Sequence, residues 1–556
     1  MDINKSFRII SVLLAQGVLI YGHFLGHNPL TYSAFTAALA AFLVLSFFAS
    51  KHAARDKKAQ AVAAIATRNA ERLSGKWVNF TDGGGEFADP RHPYSGDLSL
   101  FGEDSLFLYL NDTNTAYGKD ILRMLFLTEK RGADAVGRRQ AAVKEIAALE
   151  GFCDDIKAAG ILSKNISLDP EGMIRYFEGK DTLFRGSRAR FAARILPVIT
   201  AFCALANALV GFNNALIILM GFFVIAQVMV FLTMSNKTEA VLREMSKFKG
   251  SLDDFGAMAA LISKTPLTAE LNVSWQGKLP GAWPLRRISG ALNVRNITAL
   301  DLLLNILLLW DIQCVCRLED MRDNGAKEMR TWLEAIGYFE AVASVAVLPR
   351  LHPGWAYPGI ADDFVISAKG LGHPLIDEGE RITNDFRLDG VAVISGSNMS
   401  GKTTFLRTVG INMVLAYMGA PVCAAHFVAP AVDIRTCMKP PDNLKQSIST
   451  FYAELLRIKD IINNDKPQLF LIDEIFAGTN SEDRVEGAKQ VLLNLANKKT
   501  LGMVTTHDLE VCKTANFANY HFTEHYKDNE IRFDFKIKPG ISTTRNARHL
   551  MRMIGI

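Results

Sequence analysis

Residues 390–404 read Gly-Val-Ala-Val-Ile-Ser-Gly-Ser-Asn-Met-Ser-Gly-Lys-Thr-Thr. Gly390 to Ser395 is a short β-branched run, a loop from Gly396 to Gly401 follows, and the apolar stretch Phe405 to Met418 reads as a largely buried helix. This is G-x-x-x-x-G-K-[ST] in the strand, loop, helix context that gives the motif its meaning. The loop Gly396, Ser397, Asn398, Met399, Ser400, Gly401 can turn its backbone N–H groups onto phosphate oxygens at the positive end of the helix. Lys402 supplies charge for the β and γ phosphates, and Thr403, followed by Thr404, a hydroxyl for Mg²⁺. The expected ligands are therefore ATP and Mg²⁺, on an α/β P-loop fold.

Two further strand ends fit the same chemistry. Gln468 to Ile472 is apolar and ends in Asp473-Glu474. A strand that delivers Asp473 beside the metal leaves Glu474 to orient or deprotonate the attacking water. Another strand, Leu501 to Thr505, ends at Thr506-His507-Asp508, which makes His507 a candidate sensor of the γ-phosphate.

Between these strands, Asp442 to Glu454 opens an amphipathic helix with the run Ser449-Thr450-Phe451-Tyr452. Together with the loop at 396–404 and Asp-Glu-Ile-Phe-Ala-Gly-Thr-Asn-Ser-Glu-Asp at 473–483, it closely resembles the ATPase domain of the MutS mismatch-repair family. His373-Pro374-Leu375, Ala420-Pro421-Val422 and Gly540-Ile541-Ser542 agree, so the resemblance covers Ala368 to Ile556. Upstream, Asp97 to Leu106, Asn114 to Gly118 and Arg139 to Val143 look like the start of the family's helical core or lever, and Tyr338-Phe339-Glu340 like its return arm.

The resemblance implies an ABC-type P-loop ATPase driving a mostly helical lever. It implies that Asn398 meets the γ-phosphate and that Ser449 reaches the nucleotide of a partner subunit, so that the working unit is a homodimer with composite sites. Arg381 stands where relatives place a base-stacking aromatic, leaving Ile382 and Asn384 as base contacts. Ser400 and Ser447 replace common glycines, and Phe476-Ala477 replaces a common Gly-Arg. No mismatch-reading wedge is expected: Phe101-Gly102-Glu103 and Phe522-Thr523-Glu524 fit a three-letter string that 34 Phe produce by chance. Nor is a helix-turn-helix tail or an Smr nuclease domain read after the ATPase domain.

Composition points to a second property. Hydrophobic residues are 49%, charged ones 21% and mean hydropathy is +0.12, too apolar for disorder. Ile9 to Ser50 and Ile195 to Asn236 each run 42 residues without Asp, Glu, Lys or Arg. As helix that is roughly 63 Å, two crossings of a hydrocarbon core about 30 Å thick. Each run turns in its middle, at His27-Asn28-Pro29 and Asn213-Asn214, and the outer flanks are basic: Lys5 and Arg8, Lys51 and Arg55, Arg188, Arg190 and Arg194, Lys237 and Arg243. Two transmembrane hairpins follow, with everything outside them on the cytoplasmic side of the inner membrane and lipid as a partner. Leu302 to Leu309 is too short to span and reads as core. A net charge of +5 is silent about nucleic acid, and seven scattered Cys indicate reduced thiols.

The expected organisation is hairpin 1–50, a connector 51–90 containing a linker at Thr81 to Pro93, lever 91–190, hairpin 191–236, lever 237–360 and ATPase domain 361–556. The expected activity is ATP hydrolysis coupled to double-stranded or branched DNA, with a membrane mechanochemical ATPase that has lost DNA as the alternative. An ABC-type transporter is disfavoured, since no L-S-G-G-Q-like signature accompanies the spans.

Overall fold

The computed structural model describes residues 29–129, 131–163, 170–179, 182–184, 186–210, 213–279, 298–397, 399–438, 450–476, 480–514, 517–527 and 530–542. The first arm of the N-terminal hairpin, Asn28, Asn398, Ser447, Ser449 and Ala477 lie outside these residues. The chain divides into two units, Met1–Thr67 and Arg68–Ile556.

Helix α1 runs unbroken from Pro29 to Leu73, so the expected boundary at residue 50 falls inside a helix. Pro29 suits a first helical position, and no glycine or second proline interrupts the Ala-rich stretch behind it.

The second unit is built around α2 (Ala116–Phe126), α3 (Ala133–Ala148), α4 (Glu150–Leu162), α5 (Pro170–Glu178), α6 (Arg188–Val210), α7 (Asn214–Lys264), α8 (Thr298–Leu308) and α9 (Trp310–Val345). Helix α9 is the spine, packed against α2, α5 and α7. At its C-terminal end Phe339, Ala341, Ala343 and Val345 are buried in a core that continues through Leu98 and Leu106 to Leu406 and Leu471 beneath the sheets. Asp112 gathers Arg68 Nε (2.9 Å), Arg72 Nη2 (2.5 Å) and Lys157 Nζ (2.7 Å) into one buried ion cluster.

Three expectations change. The glycines at 83–85 are a packing contact: Gly102 N–H donates to Gly83 O at 2.8 Å, and a Cβ on Gly83 would sit 2.0 Å from Gly102 O. Phe87 then reaches Phe101 and Phe107, with ring centroids at 5.9 and 5.7 Å, so the stretch is not a free linker. Helix α7 does not stop at 236 but continues to Lys264; Leu242, Met245, Leu252 and Phe255 in its second half are buried in the helical core. Finally, Leu302, Leu303, Leu307 and Leu308 are exposed, where the sequence reads core. Helix α8 meets α6, α7 and α9 along a strip around Asn305, which leaves its leucines outside.

Asn213 does make the turn expected of it, capping α7 by accepting from Ala215 N–H at 2.9 Å. Helix α6 and the first half of α7 are long and apolar enough to cross a membrane and are largely exposed; Phe202, for example, is 70% exposed. The stretch Glu328–Leu351, also long enough to span but less apolar, is buried and is core.

A four-stranded sheet has β1 (Gly359–Ala361), β5 (His426–Pro430), β2 (Val365–Leu371) and β3 (Asn384–Asp389) in that order. The larger sheet is ordered β10 (Glu530–Pro539), β9 (Ala518–Lys527), β4 (Val391–Ser395), β8 (Thr500–Thr506), β7 (Gln468–Ile472), β6 (Asp433–Cys437). From β9 to β6 its pairs are parallel, while β10 is antiparallel to β9. Every residue of β4, β7 and β8 is buried, as continuous apolar runs require in a sheet covered on both faces. Helices α10 (Lys402–Met418), α11 (Thr450–Asn463) and α12 (Ser481–Ala496) flank these sheets.

Candidate active site

Register assembles the site. Strand β4 pairs with β8 so that Ser395 lies beside Thr506, and β8 pairs with β7 so that Val504 lies beside Ile472. The next residues of the three strands, the 396–401 loop, His507 and Asp473, therefore emerge together at the carboxyl ends, where open α/β sheets bind ligands.

In the loop, Met399 (φ 65°) and Gly401 (φ 100°) are left-handed. A Cβ on Gly401 would also press on the aromatic ring of Phe535, 3.0 Å from its Cδ1. Lys402 is buried and its Nζ donates to Gly396 O (3.0 Å) and Ser397 O (2.7 Å), 3.5 Å from His507 Nε2. Thr404 faces the adjoining cavity, and Met399 is 87% exposed. Ser397 Oγ donates to Glu524 Oε2 at 2.6 Å.

The carboxylates are held by hydroxyls. Thr403 Oγ1 donates to Asp473 Oδ2 at 2.8 Å. Thr505, fully buried and missed by the sequence reading, donates from Oγ1 to Asp473 Oδ1 (2.5 Å) and accepts from Glu474 N–H (2.8 Å). That bond anchors Glu474 in a left-handed conformation (φ 48°) and turns its carboxylate outward, Oε1 3.0 Å from His507 Nε2. Only the parallel register makes Thr505 significant; in sequence it is one more β-branched strand residue.

Behind the loop a cavity of about 420 Å³ is lined by His373, Ile382, Asn384, Thr404, Phe522 and Phe535, among others. Ile382 offers an apolar wall. Asn384 lines the cavity too, but its amide is committed to strand β10, donating to Phe535 O (3.1 Å) and accepting from Ile537 N–H (2.9 Å). Arg381 is turned onto Ile376 O (Nη2, 2.6 Å) and lies 5.5 Å from the Trp355 ring. The aromatic wall is Phe535, which sits in a bulge of β10 at φ 50° and is 42% exposed. No local motif marks it, because the bulge arises from pairing with β9. Burial, with the charges of Arg407 and Arg381 nearby, pushes His373 down to about 4, so it stays neutral and accepts from Leu375 N–H at 3.3 Å.

The residues fit a phosphate chain with Mg²⁺. Ser400 Oγ is buried in the loop with no hydrogen-bond partner among the described residues. Thr403 and Asp473 bring two hard oxygen donors together, the small donor set Mg²⁺ takes when it keeps several waters. Among the described residues no group of three or more His, Cys, Asp or Glu competes as a metal site. Next to the site, Phe476 N–H donates to Glu454 Oε1 (2.6 Å), and its ring lies 6.1 Å from that of Phe451, coupling the loop after Glu474 to α11.

A phosphate loop on the central parallel strand, with carboxylates and a histidine on its neighbours, defines a P-loop nucleoside-triphosphatase domain. Residues 392–556 match the family model of MutS domain V. The DNA mismatch repair protein MutS of Aquifex pyrophilus is 31% identical over 243 residues, covering 40% of this chain and 28% of that protein. The MutS proteins of Methanococcoides burtonii (29% over 247 residues; 42% and 28%) and Persephonella marina (29% over 235; 40% and 27%) are similar to the same extent. The similarity to MutS proteins thus lies in the C-terminal ATPase domain, residues 392–556. The chain spans under a third of the length of these relatives.

Proposed function

We propose that this protein is a membrane-anchored MutS-type ATPase that hydrolyses ATP in a site shared between two copies, with the cycle coupled to double-stranded or branched DNA. The network from Thr403 through Asp473 and Thr505 to Glu474 and His507 carries the ATPase part of this reading. Lys402 has its ammonium at the mouth of the loop, where exchanging two carbonyls for phosphate oxygens gains charge pairing. Mg²⁺ held by Thr403 and Asp473 would neutralise charge on the β and γ oxygens. Glu474 has its carboxylate free of the metal pair and accepts the proton of the attacking water, while His507 holds that carboxylate in place.

The exposed apolar hairpin α6–α7 supports anchoring to the cytoplasmic membrane, with the ATPase domain in the cytoplasm. Because the hairpin grows out of the lever itself, it also favours a second reading, a mechanochemical ATPase working on a lipid or protein partner without DNA. The deciding measurement is the ATPase rate of the detergent-solubilised protein with and without homoduplex, mismatched and branched DNA, with Glu474→Gln as the inactive control. Stimulation by DNA supports the first reading. A rate indifferent to all three DNAs but dependent on added lipid supports the second. Normal turnover by Glu474→Gln would remove that residue from the role of base.

A further inference from the structure

Helix α8 breaks at Leu309, which is left-handed (φ 51°), and α9 begins at the next residue. A break of this kind frees carbonyls at the end of the first helix. Here two of them are met by side-chain amides: Gln227 Nε2 of α7 donates to Leu307 O (3.0 Å), and Gln313 Nε2 of α9 to Leu308 O (2.6 Å). Gln227 has no exposed surface, and its Oε1 accepts from Thr200 Oγ1 of α6 at 3.2 Å. At an aqueous surface water satisfies such carbonyls; in hydrocarbon every backbone group needs a protein partner.

The outward side of the same helix is apolar. Leu302 and Leu303 are each 52% exposed, with Leu307 and Leu308 beside them, and the exposed surface continues on α6 through Val198 and Phe202 and on α7 through Phe222 and Ile225. Leu307 is tied at the level of Thr200, six residues beyond Arg194, which puts it about 9 Å past the last cation of the α6 flank.

We propose that α8 is a third membrane-embedded helix, entering the bilayer beside the hairpin with its leucine face against acyl chains. This rests on the membrane anchoring proposed above. Its length of about 16 Å is roughly half the hydrocarbon thickness, so it enters without crossing. Lipid is the occupant the surface fits. All three helices expose apolar side chains, and Arg188, Arg190, Arg194, Lys237 and Arg243 gather at the hairpin's base, where anionic headgroups lie.

The test places a photoreactive benzoyl-phenylalanine at Leu303, at Leu302, at Ile225 of the hairpin and at Glu328 of α9, each in the whole chain within native membrane patches. Lipid adducts at the first three positions and none at Glu328 are expected. Adducts at Ile225 without any at Leu302 or Leu303 would overturn the third helix and leave the anchoring intact. Protein–protein adducts at Leu303 would overturn it in favour of a contact between copies. Absence of lipid adducts at Ile225 as well would sink the anchoring itself.

Discussion

At Thr505 one hydroxyl bridges the two carboxylate positions, and its loss has a defined signature. Thr505→Val keeps the shape of the strand but frees Asp473 Oδ1 and Glu474 N–H. We expect kcat lower by roughly tenfold to a hundredfold through misplacement of Glu474, with KM for ATP little changed and activity recovered in Thr505→Ser. An equal loss in Thr505→Ser would show that the hydroxyl does not position the pair. Phe535 tests the other half of the site. As a stacking surface worth about 0.5–1.5 kcal/mol, its removal in Phe535→Ala should weaken ATP binding about two- to tenfold, with Phe535→Trp restoring it. Calorimetric titration reads this directly, and unchanged affinity would assign the base to another wall of the cavity.

At the scale of elements, the joint between α2 and α9 is pH-dependent by construction. Glu340 on α9 is fully buried and accepts from Asn114 N–H (2.9 Å) and from Thr115 Oγ1, the residue that caps α2. Burial pushes its carboxyl up to about 7, although the hydrogen bonds oppose the rise. A folded-state pKa raised above the unfolded value means that the stabilisation is fully present below about 4.5 and is lost as pH rises through about 7. Thermal unfolding of the protein should therefore show a decline from pH 5 to pH 8 that is smaller in Glu340→Gln. Parallel curves for the two proteins would mean that Glu340 is already ionised in the fold.

At the scale of the molecule, two helices leave the helical part as an exposed apolar hairpin, while the core beneath the ATPase sheets is continuous with the helical core. Helices α10, α2 and α9 pack in series between the nucleotide loop and the hairpin. The proposed dimer has its own test. Mixing Lys402→Ala with Ser449→Ala subunits leaves one composite site whole in each heterodimer, so part of the ATPase activity should return, on the order of a quarter to a half of wild type if sites act independently. Verified heterodimers with no recovery would argue against sites shared in this way.

The sequence by itself determined the nucleotide chemistry. A phosphate loop is a local object, since glycines, a lysine and a threonine at fixed spacing act through the backbone of one strand, loop and helix, and all three are found where residues 390–418 imply them. The carboxylate pair and His507 were legible for the same reason, each ending an apolar run that becomes a buried strand. The Asn213 turn was legible as well, because a polar interruption in an uncharged stretch has few other uses. What only the tertiary structure decided depends on which surfaces meet. Thr505 acquires its role from a neighbouring strand and Phe535 from a bulge, and the glycines at 83–85 pack because Gly102 comes against them. Helix α8 reads as core by composition, and its leucines are nonetheless outside: hydropathy reports that a side chain avoids water, while the packing of α6, α7 and α9 around Asn305 decides which side of the helix is left uncovered.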